Sequence, residues 1–204
     1  MTRKNILIIW ALCLFSLPMH AEEQYVPCYI ELQNGEFFEC AAILNPHSIR
    51  YKLNPNPNPN ETPVTVKIKD VRFARFFNKD RVQIVSGMPV VDLMYAARGV
   101  YSKQSCYFWV YFLDDPQNED VAVFYHYAPE GDYYGCYKRG TSYGVDLYTE
   151  SSLINTGIKR KACAEFFSDC NDVVQYLKKR NNHFKELDDF ISIVKEYKLC
   201  QKSF

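Results

Sequence analysis

The sequence predicts a mixed α+β fold, an antiparallel sheet followed by a C-terminal pair of amphipathic helices, and three observations carry that prediction. Short aromatic and β-branched runs separated by turn residues fill the chain as far as Tyr148. Beyond about residue 158 the apolar period changes to helical spacing. With 48% apolar and 24% charged residues, the 204-residue chain has the composition of a packed globular protein. Its 24 Lys+Arg balance its 24 Asp+Glu, which excludes a disordered charged tail and removes the overall positive charge on which nucleic-acid binding draws.

The chain opens on an export signal. Arg3 and Lys4 precede an apolar run from Ile6 to Leu17, and Pro18-Met19-His20-Ala21 supplies a small residue before a cut at Glu22. Residues 1–21 are therefore expected to form a signal peptide, since a run of roughly 12 residues falls short of the roughly 20 that cross a bilayer. No later stretch reaches that length, so the mature chain is expected to be periplasmic or extracellular, without a membrane span. Cys13 would need a small residue before it to be lipidated, and Leu12 stands there. Cleavage removes Arg3 and Lys4 and no acidic residue, leaving 22 basic against 24 acidic side chains. The remaining chain is long enough for a stable core with no metal or cofactor, and none is expected. It keeps seven cysteines, an odd number, so at least one thiol is free or pairs with another chain. Export permits disulfides, while buried cysteines also serve as small hydrophobes.

Residues 22–158 are expected to form the β-rich region and residues 159–204 a helical region packed on it, in one compact unit. Asn34-Gly35 marks the first hairpin. A two-residue loop would mix Ile30 with Glu39 on one face. A three-residue loop, Gln33 to Gly35, puts Cys28, Ile30, Leu32, Phe38, Cys40 and Ala42 on one face and Glu31 and Glu39 on the other. That register sets Cys28 across from Cys40, a candidate disulfide or a pair of core thiols. A strand follows from Ser48 to Leu53. The NPNPNPN run at Asn54 to Asn60 cannot join a ladder and is an exposed hairpin loop, and another strand runs from Val64 to Lys69. Asn60-Glu61-Thr62 matches a glycosylation acceptor, but Pro63 after it favours loop chemistry. Strands at Cys106 to Leu113, Val121 to Tyr127, Tyr133 to Lys138 and Tyr143 to Tyr148 form an antiparallel meander with turn-rich joints. Residues 110–150 carry eight acidic against two basic side chains and residues 48–81 eight basic against three acidic, which predicts two oppositely charged surface regions.

The helical segments are read from Cys163, Phe166, Phe167, Cys170, Val173, Val174 and Leu177, and then from Leu187, Phe190, Ile191, Val194 and Tyr197. Ser168 and Asp169 are capping residues that break the first segment in two. Cys170 and Cys200 fall in segments that can run antiparallel, a candidate second bridge.

The Gly-containing hairpin, the Gly144-Val145-Asp146-Leu147-Tyr148 step, and the ending Phe166-Phe167-Ser168-Asp169-Cys170 with Ile193-Val194-Lys195-Glu196-Tyr197 resemble a loose group of uncharacterised exported bacterial envelope proteins. The match is best in the last quarter, where Asn171 and Lys198 replace the group's usual proline and asparagine. The resemblance implies no catalytic residues.

One catalytic pattern occurs. Gly140-Thr141-Ser142-Tyr143-Gly144 is a G-x-S-x-G string, with Asp169 or Asp172 and then His183 following in the order of an α/β-hydrolase triad. The segment after Gly144 reads as a strand, where a nucleophile elbow needs a helix, so a hairpin turn is the plainer reading. His47, His126 and His183 are far apart, and no C-x-x-C or H-E-x-x-H metal pattern is present. His126 reads as a half-buried sheet histidine, and the pairs Asp114-Asp115 and Asp188-Asp189 as a turn and a helix start.

Eleven of the 16 tyrosines fall between Tyr95 and Tyr148. Exposed rings beside acidic groups can stack sugars or hold a peptide, whereas tyrosine also suits strands with one wet face. The leading expectation is an exported, non-enzymatic binding module of the bacterial envelope with an envelope protein or a glycan as partner. Its contact region is expected at Trp109, Tyr133, Tyr134, Asp132 and the loops around Asp114 and Asp132. The alternatives are a serine hydrolase built on Ser142, His183 and Asp169, and a carbohydrate-binding module that uses the Tyr/Trp-rich strands.

Overall fold

A computed structural model describes residues 24–56, 58, 60–79, 81–96, 107–129, 131–179 and 184–202. The expected signal peptide, Cys106 and His183 lie outside the described residues. The fold class is the expected one, a ten-stranded and mostly antiparallel sheet followed by three C-terminal helices.

The N-terminal half is built on the hairpin of β1 (Val26–Leu32) and β2 (Phe37–Asn45). Its register sets Cys28 against Cys40 and Ile30 against Phe38, as the three-residue loop requires, and Gly35 turns at φ 86°. The residues expected on the inner face all belong to one apolar cluster. Next come β3 (Ser48–Lys52), the exposed Asn-Pro loop, and β4 (Val64–Lys67). A short 3-10 turn then leads to β5 (Val71–Asn78), which pairs with β1, and β6 (Arg81–Asp92) returns along β5.

Strands β5 and β6 are absent from the sequence reading because neither alternates cleanly. Val71, Ala74 and Phe76 of β5 enter the N-terminal cluster while Phe73 enters a second one. In β6, Val85 goes one way and Ile84, Met88 and Val90 the other. A strand buried on both faces loses the period of two that marks a half-wet strand.

After the helical turn α1 (Leu93–Ala96), the chain forms β7 (Tyr107–Phe112), β8 (Val121–Ala128), β9 (Gly131–Lys138) and β10 (Gly144–Thr149). The expected meander is present, and it closes. Strand β10 pairs in parallel with the end of β6, Gly144 beside Val90 and Asp146 beside Asp92, so β6 to β10 form a small five-stranded barrel. Its interior holds Phe112, Phe124 and Tyr137 with Met88, Val90 and Val110. Phe124 is fully buried and fills space left by two glycines. A Cβ on Gly144 would stand 2.6 Å from the Phe124 ring, and one on Gly135 would stand 2.5 Å from that ring and 2.3 Å from the Val145 carbonyl oxygen.

Helices α2 (Thr156–Phe166), α3 (Asn171–Lys178) and α4 (Leu187–Gln201) cover the outer face of the barrel. Phe167, Phe184, Phe190, Val194 and Tyr197 pack there with Val121, Val123, Cys136 and Leu147. The first helical segment does break before Cys170, but Cys170 itself is the N-cap of α3 and no side chain caps it. Asp169 points elsewhere, its carboxylate accepting the Tyr197 hydroxyl at 2.7 Å.

Cys170 and Cys200 form a disulfide across α3 and α4. Cys28 and Cys40 are free thiols, buried and opposed, with the Cys28 thiol pushed far up by its hydrogen bond to Cys40 and by burial. The structure thus assigns that pair to the core. Cys136 and Cys163 are also buried free thiols.

The acidic Asp114 to Asp120 loop is a clamp. Asp115 takes Arg75 of β5 at 3.0 Å, Asp114 and Glu119 take Lys198 of α4 at 2.9 and 3.2 Å, and Asp120 pairs with Arg139. Carboxylates expected to form a contact surface instead tie the N-terminal sheet, the barrel and the last helix together. No helix among the described residues is long and apolar enough to cross a membrane.

Two outcomes follow for stability. The disulfide closes a separation of 30 residues, so replacing Cys170 and Cys200 by Ser should cost about 3–4 kcal/mol in urea unfolding. Gly144→Ala should cost about 1–3 kcal/mol, and Phe124→Leu should recover part of that loss because the clash is with a side chain. Gly135→Ala should show no such recovery, since its closest neighbour is backbone.

Candidate functional site

Four tyrosines lie in register across the outer face of the barrel. Tyr111 of β7 is opposite Tyr125 of β8, Tyr125 is opposite Tyr134 of β9, and Tyr134 is opposite Tyr148 of β10. Their ring centroids are 5.2, 6.2 and 6.2 Å apart along the row. Tyr127, two residues beyond Tyr125 and therefore on the same face, meets Tyr111 and Tyr125 edge-on at 5.8 and 5.6 Å. One end of the row is sealed: Tyr148 is buried, stacks on Phe190 at 5.7 Å and donates its hydroxyl to the Lys185 carbonyl at 2.8 Å. The other end is open, with Tyr127 60% exposed and Tyr111, Tyr125 and Tyr134 half-buried.

Packing decides what this face offers. Tyr111 and Tyr125 are stacked within 19° of parallel, so each spends one ring face on the other. The Tyr125 hydroxyl is engaged by Tyr127. Burial raises the Tyr111, Tyr125 and Tyr134 hydroxyls above the ordinary tyrosine range, Tyr125 to about 12, so all three stay protonated donors at neutral pH. The carboxylates of Glu150 and Asp132 add to the effect at Tyr134 and mark an acidic rim.

Of the expected contact residues, Tyr134 and Asp132 belong to this face and two others do not. Trp109 is 7% exposed, sits in the N-terminal cluster and donates its indole N–H to the Asn45 carbonyl at 2.8 Å. Tyr133 is 4% exposed and stacks on His126 at 5.5 Å. Trp109 follows the Tyr111 side of β7 but lies beneath the N-terminal cluster, out of the open face, whereas Tyr133 alternates with Tyr134 and turns to the other side of β9.

Of the residues expected in a hydrolase site, His183 lies outside the described residues, which include Ser142 and Asp169. Ser142 is exposed in the turn between β9 and β10, and the chain continues into a strand, so no elbow exists. Asp169 is engaged by Tyr197, with Lys138 at 3.6 Å. No group of three or more potential metal ligands occurs among the described residues.

A buried pair went unread in the sequence. His126 Nε2 lies 2.9 and 3.1 Å from the two oxygens of Asp146, inside the barrel mouth, with Phe108 at 4.6 Å and Tyr133 covering the ring. His126 is 3% and Asp146 4% exposed, and His126 Nδ1 has no hydrogen-bond partner among the described residues. Burial alone would lower the His126 pKa, but the Asp146 carboxylate and the more distant Asp92 outweigh it and raise it. Burial raises Asp146, which His126 only partly offsets. Such a pair has the groups for proton transfer but lacks access, and it acts as an internal strut. The only cue in the sequence is a polar residue within each of two otherwise aromatic or apolar runs.

No protein-family model, curated protein or solved structure matches the chain.

The pair sets a pH dependence. With its folded pKa above the unfolded value of about 6.5, His126 contributes stability that is complete below about pH 6.5 and is lost as pH rises through the folded value. The raised Asp146 pKa acts in the same direction at lower pH. The urea midpoint should therefore fall as pH rises from about 6.5 through the folded value. In Asp146→Asn the main group opposing burial is gone and only the Tyr127 backbone and Asp92 still raise His126, so the fall should flatten.

Proposed function

We propose that the chain is an exported, non-enzymatic binding module of the bacterial cell envelope that holds a protein partner on the open end of its tyrosine row. The single observation that carries this is the registered row itself, Tyr111, Tyr125 and Tyr134 with Tyr127, left uncovered by the helices while Tyr148 is locked beneath them. Tyrosines immobilised by their neighbours offer large amphipathic contact area at small entropic cost. With Tyr111 and Tyr125 stacked on each other and Tyr127 set edge-on beside them, the surface favours a polypeptide partner, which meets amphipathic ring edges, over sugar rings that stack on open aromatic faces. The Asp132 and Glu150 carboxylates call for basic residues at the partner's edge.

Export rests on the order of positive, apolar and small residues over 1–21, and the Cys170–Cys200 disulfide fits an oxidising compartment. The absence of a nucleophile elbow at Ser142 and the sealed position of His126 support a non-enzymatic role.

The test is photocrosslinking in intact cells of the source organism, with a photoreactive phenylalanine analogue in place of Tyr127. A single protein adduct should form, and Tyr125→Ala with Tyr134→Ala should abolish it while shifting the melting temperature by only a few degrees. Asp132→Lys should weaken it. An adduct insensitive to these changes, no adduct, or retention on a glycan instead would overturn the reading. Tyr133→Ala should behave differently, costing about 3–5 kcal/mol of folding stability because its ring is in the core.

A further inference from the structure

A second surface lies on the helical layer. Helices α3 and α4 run antiparallel, joined at one end by the Cys170–Cys200 disulfide, and between them is an open groove of about 740 Å³. Its floor is apolar, formed by Val173 and Ile193, with Tyr176 and Leu199 standing 44% and 59% exposed at its sides. Asp172 of α3 and Asp189 and Glu196 of α4 also line it, and no Lys or Arg does among the described residues. On α4 the positions 189, 192, 193, 196, 199 and 200 recur at helical spacing as one stripe. The opposite stripe, Phe190, Val194 and Tyr197, is spent on the core, so α4 carries a second, partly apolar face that the chain leaves uncovered.

We propose that this groove docks a cationic amphipathic helix of a partner protein, independently of the tyrosine row. Charge fixes the sign: an apolar floor under carboxylates, with no cation among the described lining residues, complements a segment whose apolar stripe is flanked by Lys or Arg. Asp189 spends part of its carboxylate on its own helix, accepting the Lys185 and Glu186 backbone N–H groups at 2.7 and 3.0 Å, so Asp172 and Glu196 carry most of the recognition. Backbone satisfaction fixes the form. Both walls are helices whose peptide groups are paired internally, so an extended occupant would bury N–H and C=O groups with nothing to bond, while a helical one brings its own partners. The eight residues of α3 span about 12 Å, matching about two turns of a docked helix.

The probe is a fluorescent helical peptide of about 12 residues with leucines at i, i+3, i+4 and i+7 and lysines beside them, titrated into the oxidised mature protein and followed by anisotropy. A second peptide has Glu in place of each Lys. The Lys peptide should bind saturably and more weakly as salt is added, and the Glu peptide should not bind. Asp172→Lys with Glu196→Lys should lower the affinity about tenfold, and Glu196→Gln alone should lower it less. Both positions are exposed, and since Asp172 is in the first turn of α3 its reversal costs a little helix stability, so the unfolding midpoint should fall only slightly. Tyr127→Ala should leave peptide binding intact. Absence of saturable binding, binding that survives the double reversal, or loss on Tyr127→Ala would overturn the proposal, the last without touching the tyrosine-row reading.

Discussion

The parallel pairing of β10 with the end of β6 is the constraint on which the rest depends. Without it β7 to β10 would be an open meander with an exposed edge. With it, five strands close around so narrow an interior that Phe124 can be accommodated only where Gly135 and Gly144 present no side chain. Closure also brings Asp146 beside Asp92, and thereby sets the carboxylate against His126. Breaking a buried pair of this kind by removing one partner costs several kcal/mol, since the survivor is left in a poor solvent. The barrel is thus specified by volume on one level and by a hydrogen-bonded charge on another.

Strand β6 carries that closure into the N-terminal half. Its first residues belong to the sheet with β5 and its last to the barrel, so the two apolar clusters share a wall. The acidic loop after β7 reinforces the junction from outside through Arg75 and Lys198. Part-exposed ion pairs add little stability individually. Their value is positional: one loop holds an arginine of β5 and a lysine of the last helix against the same barrel strands. The tyrosine row does the apolar counterpart, beginning at Tyr111 against the N-terminal cluster and ending at Tyr148 in the helical core.

What the sequence revealed follows from which signals are local. The β1–β2 register was legible because a single loop choice put every apolar side chain on one face, and the Cys170–Cys200 bridge because helical spacing placed both cysteines in antiparallel segments. Strands β5 and β6 were not legible, since burial on both faces erases alternation. Barrel closure leaves almost no local mark: Gly144 reads as a turn residue, and only its neighbour across space, Phe124, explains it. The tyrosines were visible as a cluster, but their sorting was not. Tyr133 and Tyr134 are adjacent and of one type, yet one stacks on His126 in the core and the other faces outward. Which of the two points out depends on the β8–β9 register and on which face the helices cover, and both are long-range facts.

These assignments narrow where recognition can occur. A tyrosine-rich chain with an acidic stretch over residues 110–150 offers many contact residues, but folding uses up most of them: Trp109, Tyr133 and Tyr137 in cores, and Asp114, Asp115 and Glu119 in ion pairs. The surfaces left are those whose side chains are held in place without being consumed. On the sheet, stacking orders Tyr111 and Tyr125 beside the exposed Tyr127. On the helices, the disulfide fixes one end of a groove whose floor is partly apolar and whose sides carry carboxylates. Pre-ordering lowers the entropic cost of binding at both, so affinity there rests on contacts made with a partner and not on reorganisation of the fold.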